Sequence, residues 1–237
     1  MKEVLAHIEK KKQEFAKLPL FEYMRDTSID PRQRLAWAPC AAPFIMGFGH
    51  LNKYVLRQEP TNDPIQAIIN KHTYEDDHHW LWFLEDIQTL GFEKNLTFTD
   101  ALKFIWGEQT KTSHLVTFQL ANYAFQANSL QKLILVEVME VTGNVMFSVA
   151  AEVGREIKES QSGKCLYFAD FHLNVETGHA TGTAGIENLI ENIPLTDENR
   201  IEGLELVNKG FQLFTGLTHE LLSYANNNQM KPAVISA

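Results

Sequence analysis

At 237 residues, with 44% hydrophobic and 22% charged side chains, the chain has an ordinary globular composition and the length for one domain with a full core. Its formal net charge of −9 leaves no basic footprint for nucleic acid or an anionic membrane surface. Two cysteines, Cys40 and Cys165, cannot build a disulfide framework and read as buried thiols in a reducing compartment.

No run approaches the ~18 apolar residues that a membrane span needs. The opening MKEVLAHIEKKKQEF is an amphipathic helical pattern rather than a signal peptide. A soluble, cytoplasmic protein is the expectation. Patterns with a 3.6-residue period dominate, and alternating ones are scarce. They predict helices at 2–17, 31–57, 63–90, 99–109, 111–126, 129–157, 164–178 and 196–225.

Several of these helices carry start and stop signals. Asp30 before Pro31, and Asp63 before Pro64, pair an N-cap with a proline at the first helical position. Thr99 and Thr196 are the expected caps of two further helices, and Gly91 is the expected stop after DIQTL. Pro43 is expected to kink or split the second helix. No repeat, low-complexity linker or composition shift divides the chain. The fold class read from this is all-α, a single bundle of about eight helices over 1–225 with a loose tail at 226–237.

Three segments carry chemistry. In YFADFHLNVETGH, positions i, i+4 and i+7 fall within about 60° of one another around a helix, so His172, Glu176 and His179 share a face. A hundred residues upstream, KHTYEDDHHWLWFLED extends one helix past Glu75. Relative to Glu75, His79 lies at about 40°, His72 at about 60°, Trp82 at about −20° and Asp86 at about 20°, with His78 off to the side at about −60°. The third segment, 131–153, is nearly all apolar except for a stripe of Glu137, Glu140, Asn144 and Ser148. A carboxylate among apolar groups must be neutralised, paired or metal-bound. Glu140, near the small Gly143, is preferred to Glu137. Carboxylate and imidazole donors suit Fe(II) or Mn(II), whereas a structural zinc site more typically uses thiolates.

The HLNVETGH motif, with EDDHHW upstream, is similar to the haem-oxygenase-like di-iron oxidase and oxygenase superfamily. That group includes CADD-type proteins and the fatty-acid-decarboxylating UndA type, on a TenA-like fold. The resemblance spans roughly 20–225, and its most specific part is His-x3-Glu-x2-His at His172, Glu176 and His179. The family's first core helix supplies a Glu and a His, matched by Glu75 and His79. Glu75 with His78 fits the family's shorter spacing, and His72 stands where the longer spacing wants a glutamate. The middle-helix carboxylate falls at Glu140 or nearby Glu137.

What the resemblance implies is a haem-oxygenase-like bundle holding two Fe(II), or Fe and Mn, with O2 as co-substrate. The ligands would be Glu75, His79, Glu140, His172, Glu176 and His179, with His72, His78, Glu137 and Asp86 as alternatives or supporting groups. The activity would be oxidase or oxygenase chemistry on a small amine, amino acid or fatty-acid-like molecule. The alternatives are a metal-free TenA-like or PqqC-like small-molecule-binding or hydrolytic enzyme, with Cys165 as the nearest thiol, and a non-catalytic interaction protein. Tyr23 sits about where CADD-type proteins carry a tyrosine consumed as substrate, but no partner lysine matches, and an ordinary packing role is expected. Neither nucleic acid nor membrane is an expected partner, and exposed apolar helix faces are compatible with a homodimer.

Overall fold

The structure is a computed structural model that describes residues 1–92, 96–160, 165–177 and 184–230. Among these residues it is all-α. The helices are α1 (Lys2–Phe15), α2 (Pro19–Arg25), α3 (Pro31–Arg34), α4 (Ala38–Leu51), α5 (Pro64–Asp76), α6 (Trp80–Thr89), α7 (Phe98–Ile105), α8 (Lys111–Phe125), α9 (Ser129–Ser160), α10 (Asp170–Thr177), α11 (Ala184–Glu191) and α12 (Asp197–Asn227). A π-helical turn, Asn52–Leu56, continues α4, and a 3-10 turn, Glu108–Thr110, leads into α8.

The long apolar segment becomes the axis of the bundle. α9 packs against α1, α2, α3, α5, α10 and α12, and buries Leu133, Ile134, Val136, Val138 and Val153 completely. Contrary to the expectation above, α9 is long and apolar enough to cross a membrane: a window within Ser129–Lys158 reaches a mean hydropathy of 1.6. Just over half of that window, 56%, is buried inside the fold, as a central core helix requires.

The anticipated caps form at Asp30, Asp63 and Thr196, whose side chains accept backbone N–H groups of the first turn. For α7 the cap is Thr97, not Thr99, with its hydroxyl accepting from Asp100 N. The start of α8 is capped from outside: Glu220 of α12 accepts Thr112 N and Ser113 N, both at 2.7 Å. Gly91 ends α6 with a φ of 71°, a conformation that favours glycine.

Two predicted helices divide. The 31–57 segment breaks at 35–37, and Pro43 sits inside an unbroken α4. The 63–90 segment breaks at 77–79, where Arg57 takes the end of α5. Its guanidinium donates to Thr73 O (2.8 Å) and to Asp77 Oδ2 (2.7 Å), and that carbonyl would otherwise receive the amide of residue 77. Gly49 lets α4 press on the same point, because a Cβ there would lie 2.8 Å from Asp77 O. Two short helices, α2 and α11, lie outside the predicted set, being only seven and eight residues long. α12 also runs past 225, to Asn227, and Met230 N donates to Gln33 Oε1.

Candidate metal centre

α5 ends by presenting His72 and Asp76, one turn apart, toward α9. His72 Nε2 lies 3.1 Å from Asp76 Oδ2 and 3.4 Å from Glu140 Oε1 of α9. One donor atom from each of the three lies within 4.8 Å of the other two. The break after α5 turns His79 to the opposite side of the same carboxylate, with Nδ1 3.6 Å from Asp76 Oδ1. His172 of α10 completes the group, its Nε2 3.1 Å from His79 Nδ1. Asp76 thus stands between two sets of imidazoles, one oxygen toward each. None of the three histidines, nor Asp76, is more than 5% exposed.

The imidazole orientations are set from behind. His172 Nδ1 is 3.0 Å from Tyr167 O, so its proton sits on Nδ1 and its Nε2 lone pair points into the centre. The His172 ring packs on Phe147 (4.0 Å between centroids) and Tyr167 (4.6 Å). The His79 ring stacks on Trp82 at 4.4 Å. Asp86 holds the strand of chain that leads to α10, accepting Leu166 N at 2.7 Å and Phe168 N at 2.9 Å. Burial pushes the Asp86 carboxyl up, against the pull of those backbone donors. Gly154 of α9 allows that chain to come close, since a Cβ there would collide with Phe168 O.

The donor chemistry fits a divalent first-row cation. Three imidazoles and two carboxylates crowd a pocket nearly closed to water, where a positive charge would compensate the acids. Two donors on adjacent positions of an ion with bonds near 2.1 Å stand about 3 Å apart. The His79–His172 and His72–Asp76 separations, both 3.1 Å, have that spacing. His72, Asp76, His79, Glu140 and His172 are the described residues that could hold such ions.

Asp76, His79, Glu140 and His172 close one end of a cavity of about 100 Å³. Its walls are Phe15, Trp37, Phe44, Phe48, Phe214 and Leu217, with further aliphatic and aromatic groups. Away from the donors the lining includes two threonines, Thr142 and Thr218, whose hydroxyls donate to backbone carbonyls.

The expected ligands fall into three groups. His79, Glu140 and His172 meet, and His72 joins them. Glu75 is half-buried and sits about 100° around α5 from Asp76, the carboxylate that faces the histidines. His78 is exposed, with Nδ1 3.4 Å from Asp77 Oδ1. Glu137 opens away from Glu140, into a groove with Lys2, Leu5, Ala6 and Ile190. Among the described residues its Oε1 is sealed from water without a hydrogen-bond partner, and burial pushes its carboxyl up to about 7. The Glu176 side chain and His179 lie outside the described residues. Tyr23 lies off this cavity, donating to Gln33 O at 2.9 Å.

Asp76 escaped the sequence reading, although a signal for it exists. His72, Asp76 and His79 repeat the His-x3-carboxylate-x2-His spacing of His172, Glu176 and His179. No family model matches the chain, and no curated protein matches it significantly.

Proposed function

We propose that this protein is a non-haem, dinuclear-metal (Fe/Fe or Fe/Mn), O2-activating oxidase or oxygenase built on a haem-oxygenase-like bundle. The observation that carries the reading is the meeting of His72, Asp76, His79, Glu140 and His172 at the closed end of an apolar cavity. By their place in the sequence motif, Glu176 and His179 are proposed as further ligands. When bound, the metal pair supplies electrons to dioxygen and the means to oxidise an otherwise inert bond.

The chain's own residues do the rest. Asp76, with one oxygen toward His72 and the other toward His79, would be a ligand shared by both sides of the centre. Tyr167 O keeps the His172 proton on Nδ1, so the Nε2 lone pair is the one turned toward the centre. Phe147 and Trp82 pack on the two imidazoles and shield them from bulk water. Among the described residues the cavity walls offer no charged group beyond the donors. An ammonium or guanidinium would lie there uncompensated, so among the expected substrate classes the fatty-acid-like one fits and a free amino acid does not. The polar end of such a molecule would lie at the donors and its hydrocarbon against Phe44, Phe48 and Phe214.

A metal-free hydrolase using Cys165 is disfavoured. Burial, then the neighbouring Asp86, pushes that thiol up to about 11, and it does not line the cavity. The test is to load the protein anaerobically with Fe(II), assay retained iron, then follow oxygen uptake with and without a medium-chain fatty acid. Retained iron with uptake stimulated by the acid is expected. Failure to retain iron would overturn the reading.

A further inference from the structure

The surface formed by α7 and α8 is at odds with the rest of the fold. α7 has an apolar side, yet none of its residues is buried. Phe98 and Leu102 lie one turn apart and Trp106 follows at the C-terminus, exposed by 79%, 41% and 68%. On α8, Leu115, Phe118 and Phe125 follow an i, i+3, i+10 course and are exposed by 45%, 58% and 79%. His114 joins the two rows, with its ring 4.0 Å from Trp106 and 5.4 Å from Phe118. His114 thus links Trp106 to Phe118, and the other four exposed residues extend the two rows on the same helices.

Its size exceeds what a free monomer ordinarily carries. Four aromatic side chains of roughly 200 Å² each, about seven-tenths exposed, with two part-exposed leucines, present on the order of 700 Å² of apolar surface. The largest such patch on a typical monomer is about 300–600 Å². One subunit of a standard interface contributes about 800 Å².

We infer that this face is covered by the same face of a second copy of the chain, in a two-fold dimer. A self-pairing surface must not bring like charges together. With a net charge of −9, most of this protein's surface would repel a copy. Here the nearby charges are neutralised within each chain, Lys103 with Asp100 at 3.2 Å and Lys111 with Glu108 at 3.1 Å. The same pairing occupies the lysines of α7 and α8, the described cations of this face, so nothing there favours an anionic bilayer over a protein partner. The inference is independent of the metal reading, since none of these residues lines the cavity.

Sedimentation equilibrium of the full chain at micromolar concentrations, with the variant Phe118→Glu/Phe125→Glu beside it, is the test. Both side chains are exposed, so far-UV circular dichroism and the melting temperature should match wild type. Expected is a wild-type mass of twice the 27.0 kDa chain that falls to 27.0 kDa in the double variant. A control, Leu189→Glu, at an exposed site on α11, should keep the dimer mass. Wild type remaining at the chain mass up to ~50 μM, or a dimer that survives the double substitution, would overturn the inference. So would a monomer that floats with zwitterionic vesicles through Phe118 and Phe125, which would assign the face to a membrane instead.

Discussion

Replacing Glu137 with glutamine should stabilise the metal-free protein, and only at neutral and alkaline pH. The carboxyl sits on the core helix with Oε1 sealed from water and, among the described residues, unpartnered. Burial, with a smaller push from Glu187 and an opposing pull from His72, moves it from its ordinary 4.5 to about 7. The folded state therefore holds this proton more tightly than the unfolded chain. Its contribution to stability is complete below about pH 4.5 and is lost as the pH rises through 7. Displacing the carboxyl that far corresponds to about 3 kcal/mol, of which about 2–3 kcal/mol falls between pH 5 and pH 8.

Glutamine keeps the shape and removes the charge. Urea unfolding of Glu137→Gln and wild type at both pH values, with chelator present throughout, measures the effect as a difference of differences. Any offset from the substitution itself then cancels. The variant should gain about 2–3 kcal/mol on wild type between pH 5 and pH 8. A gap that stays constant, or that moves in favour of wild type, would refute the placement of an uncompensated carboxylate at this point.

Other substitutions probe the supports of the centre. Gly154→Ala would place a methyl group against Phe168 O, so α9 and the 165–169 chain must separate. A loss of at least 1–3 kcal/mol in chemical denaturation is expected, together with weakened Fe(II) binding, since His172 hangs on that chain. Asp86→Asn keeps one acceptor but turns an amide donor toward the backbone N–H of either Leu166 or Phe168, costing about 1–3 kcal/mol. Glu220→Gln removes one of the acceptors from the start of α8, and should lower stability by about 1 kcal/mol without altering iron content.

How much was legible beforehand differs between local and tertiary signals. Asp30, Asp63, Thr196 and Gly91 act over a turn or two of chain, and their sequence signatures carried through. The all-α class and the long helix expected at 129–157 followed equally from periodicity. The break between α5 and α6 did not, because it is made by Arg57 and Gly49, from another part of the chain. That break decides which carboxylate faces the histidines. An uninterrupted helix favours Glu75 beside His79, whereas ending α5 at Asp76 sets Asp76 between His72 and His79. Asp86 shared a face with the donors on the same helical wheel, yet its oxygens are taken by backbone amides eighty residues away. Glu137 and Glu140 looked like one stripe, but their 60° offset is enough for two sides of α9.

Whether the five donors hold a pair of cations is tested most directly by anomalous diffraction at the iron edge from crystals soaked anaerobically in Fe(II). Two peaks are predicted, each about 2.0–2.2 Å from donor atoms of the set His72, Asp76, His79, Glu140 and His172, with Asp76 adjoining both. A map with no peak among these side chains, or with iron bound only elsewhere on the chain, would contradict it.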